Sequence, residues 1–143
     1  MPYEFLEDIA TADIAFRATG KDLAELFKAA GDATINTMIE NLDAIEPKET
    51  RNISLENDAL DLLLFNFLQE LIYYKDSEQI LLRTKEIQFD DKDSNHYLTA
   101  VLQGEKLDSD RHHQRVDVKA VTLHLFQLEK TQDGWMSMII LDI

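Results

Sequence analysis

The last residues of the chain, Leu141-Asp142-Ile143, close an apolar run over 135–143 with a single acid in the penultimate position. A terminal strand anchored in a sheet would hold the α-carboxylate of Ile143 beside the Asp142 side chain. Two negative charges so close together are costly unless water or a cation neutralises them. Clustered oxygens suit hard divalent ions such as calcium or magnesium; a frayed, solvated chain end is the other reading of the same residues. Asp13 is a second acid of interest, because Thr11-Ala12 before it and Ile14-Ala15 after it are small or simple enough to let a ligand approach. Asp is also common at turns and element starts without further role. Lys119 interrupts the largely apolar stretch 116–122. A lysine there faces either solvent or a carboxylate cluster.

Other polar clusters carry less. Asp90-Asp91-Lys92-Asp93-Ser94-Asn95 opens like a calcium loop, with Asp91, Asp93 and Asn95 at alternate positions. An EF-hand needs Gly at the sixth position and a bidentate Glu at the twelfth, where His96 and Leu102 stand, so a solvated hairpin turn is expected. The run Asp108-Ser109-Asp110-Arg111-His112-His113 offers imidazoles and carboxylates but no helical His-x-x-x-His spacing. His113 reads as a polar loop residue, and His96 and His124 as structural residues of strands. No Ser-His-Asp arrangement and no Gly-rich phosphate loop is visible, so nucleophilic catalysis and P-loop nucleotide binding have no support.

The elements that must position these groups follow from periodicity. Residues 14–19 alternate as a half-buried strand does, and Gly20 ends them. From Asp22, a candidate N-cap, Leu23, Leu26, Phe27, Ala30, Thr34, Thr37 and Met38 follow helical spacing. That stripe makes an amphipathic helix of about five turns. Pro47 marks a break, and 51–55 reads as a short strand. A second helix from an Asp58 cap is apolar on nearly every side through Tyr73, which predicts a central helix packed on more than one face. After a turn at Asp76-Ser77-Glu78, strands are predicted at 80–89, 97–103, 116–128 and 135–143. The connections at 90–95 and at Gln132-Asp133-Gly134 read as hairpins. This order predicts an α+β fold in a single compact domain over residues 1–143, with two helices packed on a largely antiparallel β-sheet.

Composition narrows the partners. The 143 residues hold 28 Asp plus Glu against 14 Lys plus Arg, a net charge of −14. Such an excess repels phosphate, which argues against tight direct binding to nucleic acid and against anionic membrane surfaces. With no cysteine there is no disulfide, thiolate nucleophile or Cys-ligated zinc, a composition compatible with a reducing cytosol. The N-terminal residues lack the basic start and apolar core of a signal peptide, and the longest apolar run, 62–65, is far too short to cross a bilayer. A soluble cytoplasmic protein is expected.

Four separated stretches, Thr11-Ala12-Asp13, Gly104-Glu105, Val118-Lys119-Ala120-Val121-Thr122 and Leu141-Asp142-Ile143, together resemble archease in order and spacing, over essentially the whole chain. The resemblance extends to the start of each helix. It implies a non-catalytic accessory protein of the RtcB-type, GTP-dependent RNA ligase that joins exons in tRNA splicing, promoting guanylylation of the ligase and its repeated turnover. It also implies a divalent cation, calcium or else magnesium, bound by Asp13, Asp142 and Ile143. Lys119 would then matter to activation, and His112 matches a histidine of the family in that loop. One departure is Ala10, where the family's commonest form is His-Thr-Ala-Asp; Asp8 is a nearby acid that could substitute. Two other functions stay open, a metal-dependent phosphoester hydrolase and a chaperone or general interaction module.

Overall fold

The structure, a computed structural model, describes residues 2–7 and 13–143. Asp8, Ala10, Thr11 and Ala12, which entered the sequence reading, lie outside the described residues. The first helix, α1 (Leu23–Met38), starts where the spacing predicts: the Asp22 carboxylate accepts from the Glu25 N–H at 2.9 Å, satisfying one of the free donors of the first turn. Ten of its 16 residues are buried, against seven of 19 in the second helix, α2 (Leu60–Glu78). The mostly small side chains Ala29, Ala30, Gly31 and Ala33 explain how a helix can be so closely surrounded. Its buried Thr34 and Thr37 hydroxyls donate to the Ala30 and Ala33 carbonyls, each at 2.9 Å, so neither is left unpaired.

The predicted start and end of α2 are corrected. Asp58 does not cap the helix: Ala59 occupies the cap position, and Asn57 Oδ1 accepts from the Ala59 N–H at 3.0 Å. Asp76-Ser77-Glu78 stay helical, because the chain turns only at Gln79, whose left-handed φ of 54° ends the helix. The expectation that α2 packs on more than one face holds, since it meets α1 and strands of both sheets.

Among the described residues, seven strands form two antiparallel sheets. Strands β1 (Tyr3–Leu6), β2 (Ile14–Gly20), β6 (Ala120–Thr131) and β7 (Gly134–Asp142) make a four-stranded sheet in the order β1-β2-β7-β6, and β3 (Glu49–Asn57), β4 (Ile80–Lys92) and β5 (Asn95–Lys106) make a three-stranded one in the order β3-β5-β4. The helices form a layer between them, α1 meeting β2, β7 and β4 while α2 meets β6, β3 and β4. Phe27 of α1 joins the layers, its ring 5.7 Å from that of Phe67 on α2 and 4.8 Å from that of Phe89 on β4. The α+β class is as the sequence predicts, with the strands divided between two sheets.

The loop at 90–95 is tighter than it reads: Asp93 and Ser94, with φ of 53° and 65°, form a two-residue turn whose twist matches the strands. The His96 ring nitrogen lies 2.7 Å from Asp91 across that hairpin, which makes it a structural residue. Strand β6 begins at Ala120 rather than at 116, and a bulge between Thr122 and Gln127 leaves Leu123 and Leu125 outside. Strand β1 escapes sequence reading because four residues are too short to show a period.

Gly104 is needed where β5 passes β4. A Cβ there would stand 1.7 Å from the Leu81 carbonyl oxygen, a backbone atom that cannot swing aside. Gly104→Ala is expected to cost about 2 kcal/mol or more of stability, read by urea denaturation. An unchanged midpoint would mean that the two strands do not approach this closely.

Candidate functional site

Pairing of β2 with β7 brings the chain's two suggestive acids to one place. The register aligns Ile14 with Leu141, and on the other flank of β7 Ala120 aligns with Asp142. Asp13 immediately precedes β2 and Asp142 ends β7, so the two acids flank the Ile14–Leu141 pair at the same end of these strands. Asp13, Asp142 and Ile143 are all half-buried. Beside Asp13 opens a cleft of about 400 Å³, whose lining includes Glu7, Asp13, Ile14, Thr37 and Arg115. Among the described residues no group of three His, Cys, Asp or Glu side chains gathers closely enough to hold a metal. The expected donor set differs in kind: two side-chain carboxylates and one main-chain carboxylate. It contains only oxygen, which fits calcium or magnesium and not a soft metal.

Lys119 joins this end of the sheet through its backbone, its N–H donating to the Asp142 carbonyl at 2.8 Å. Its side chain is exposed. The preceding segment is fastened from α2, where the Lys75 ammonium donates to Oδ1 of Asp117 at 2.7 Å and to the Val118 carbonyl at 2.9 Å, and also pairs with Asp76. Burial pulls the Lys75 pKa down, but the bonds and charges of Asp117 and Asp76 outweigh it and hold the group above its usual value, hence charged. At the end of α1, the Met38 carbonyl accepts from the Arg115 N–H, and just beyond the helix the Glu40 N–H donates to the His113 carbonyl, each at 2.8 Å.

The model of the archease protein family matches residues 3–143. The chain belongs to the archease family. It is 37% identical to the protein archease of Pyrococcus abyssi over 134 residues, covering 93% of this chain and 94% of that one. It is 34% identical to the protein archease of Sulfurisphaera tokodaii over 141 residues, covering 99% and 98% of the two chains. The solution structure of Methanobacterium thermoautotrophicum protein 1598 superposes with a TM-score of 0.86 at 30% identity, covering 99% of both chains. A Thermotoga maritima archease, described as a possible chaperone, shares the fold with a TM-score of 0.64 at 17% identity over 98% of both. Among the described residues of this archease family chain, no helix is long and apolar enough to cross a membrane.

His112 lies away from the carboxylate end and has no exposed surface. Its Nδ1 accepts from the Asp108 N–H at 2.9 Å, which leaves the proton on Nε2, 2.6 Å from Oε1 of Glu105. A fully buried ring cannot itself touch a partner, so any part it plays there runs through the loop it holds. Glu105 is 3% exposed and also faces Arg111 at 2.8 Å. Burial alone would raise its pKa; hydrogen bonds from Arg111 and His112, with the Arg111 charge, overcome this and bring it from 4.5 down to about 2. The residue reading missed Glu105 and Lys75 as anchors. Gly104-Glu105 entered only through the resemblance, and a lysine in a last helical turn looks like ordinary helix-end chemistry.

Because Glu105 has a lower pKa folded than unfolded, its contribution to stability is complete above about pH 4.5 and is lost as pH falls from there toward about 2. Glu105→Gln should lower stability at neutral pH and flatten that part of the acid limb, measured by thermal melts from pH 7 downward. A parallel acid limb in the variant would refute the assignment.

Proposed function

We propose that the chain is a non-catalytic accessory factor of an RtcB-type, GTP-dependent RNA ligase in tRNA splicing, acting in the cytoplasm to promote ligase guanylylation and repeated turnover. The observation that supports this best is the register of β2 and β7, whose last pair, Ile14 with Leu141, leaves Asp13 and Asp142 at one end of the sheet in a chain of the archease family. In this reading the three carboxylates hold a divalent cation, calcium or magnesium. A bound ion would offset their mutual repulsion and order the end of β7. Lys119 offers an exposed positive charge next to that site, suited to meeting a partner. His112 and Glu105 hold the loop that leads to it.

The charge of −14 fits contact with a protein better than contact with RNA. A ligase that grips RNA carries a basic cleft, and an acidic factor is steered toward it most strongly at low salt.

In single-turnover guanylylation of a cognate ligase, Asp13→Asn or Asp142→Asn should lower stimulation by about tenfold or more while circular dichroism stays unchanged. Calorimetric calcium titration should show the same two variants losing affinity. A residue added after Ile143 moves the α-carboxylate away and should impair both readouts. Full stimulation by both Asp variants would overturn the site assignment, and phosphodiester turnover by the purified chain, lost on chelation, would favour a hydrolase instead.

A further inference from the structure

Lys75 combines burial with an unusual set of partners. It is 7% exposed, at the end of α2, and an ammonium withdrawn from water is costly unless its donors are met. Two carboxylates and a carbonyl meet them: Asp117, Asp76 and Val118. Asp76 is its chain neighbour, but Asp117 and Val118 lie 42 and 43 residues further on. The segment they belong to is tethered near the end of α1 through 113–115, and Lys75 supplies the side-chain grip at Asp117 and Val118. Asp117 is 66% exposed, Val116 is 41% exposed, and a small cavity of about 90 Å³ lies under 114–117 against Met38, Ile39 and Leu81. Val118 alone of this stretch is fully buried. Immediately after it, Lys119 bonds to the last residue of β7.

We propose that Lys75 is a positioning residue for the activating site: by gripping Asp117 and the Val118 carbonyl, it sets the backbone that ties Lys119 to Asp142 and presents the Lys119 side chain. The structural half of this proposal stands by itself, whereas its functional half rests on the accessory role of Lys119. Lys75 is buried in the last turn of α2, so the grip ties the position of α2 to the rim of the four-stranded sheet. Bonds to a charged donor in a buried place are among the stronger ones available to a loop, which is why losing this one should be felt one residue away.

Two variants separate positioning from general stability. Lys75→Met keeps the stem and removes the charge; Asp117→Ala removes the partner from an exposed place and leaves the buried lysine its other contacts. In both, amide hydrogen exchange of the full chain should show the Lys119 N–H exchanging about tenfold faster or more, while Phe16 and Ile139 in the centre of the sheet keep their protection. Equal protection of Lys119 in the wild-type chain and in Asp117→Ala would overturn the proposal, even if Lys75→Met failed to fold. In ligase guanylylation, Lys75→Met should lower stimulation, and Lys75→Met combined with Lys119→Ala should be no worse than Lys119→Ala alone. Multiplying effects would show that Lys75 acts elsewhere. If Lys119→Ala stimulates normally, the accessory role assigned to Lys119 fails, and the exchange result still decides whether Lys75 positions it.

Discussion

The fold depends on the pairing of β2 with β7. Seven successive pairs, from Ile14 with Leu141 to Gly20 with Trp135, join the two ends of the chain. They make the terminal strand a central one, because β6 pairs along its other flank as far as Asp142. A strand bonded on both sides cannot fray as an edge strand does, so the last residues stand at a defined point of the sheet. The inner face of that pairing, with Phe16, Ile139 and Leu141 fully buried, is also the floor on which α1 lies. Stability and the placement of the carboxylates therefore share one cause.

The segment 107–119 carries the chain from the three-stranded sheet to the four-stranded one without a regular element of its own. Loops of this length are uncommon in compact domains unless something holds them. Here two buried charge centres do so. Near the start, Glu105 at the end of β5 takes His112 and Arg111; near the finish, Lys75 of α2 takes Asp117 and Val118. An isolated β-bridge between Ile39 and Gln114 adds a middle tether from the end of α1. Exposed ion pairs contribute little to stability, but each of these centres has one buried member, Glu105 or Lys75, and removing its partners would strand that charge in the interior. The surplus of acid on the surface and the sparing use of buried charge are separate features of the same composition.

Legibility followed the range of the physics involved. The start of α1 was readable because a cap and a stripe of apolar residues are local signals, and Asp22 with Leu23, Leu26 and Phe27 provides both. The start of α2 misled, since Asp58 and Asn57 are equally good capping residues by type and only the backbone path decided that Asn57 reaches the Ala59 N–H. Its end misled because a left-handed Gln79 carries no glycine to announce it. The late start of β6 has a non-local cause, the capture of Asp117 and Val118 by a helix more than forty residues earlier.

By itself the amino-acid order determined the kinds of element, the acidic balance, the absence of thiol chemistry and which carboxylates deserved notice. It did so because spacing dictates which face of a helix or strand a residue takes. Tertiary structure alone decided that Asp13 and Asp142 come to the same end of one sheet, that His112 is sealed inside with Glu105, and that Lys75 reaches the residue before Lys119. Register, burial and ion pairing are relations between distant residues, and no local pattern encodes who the distant partner is.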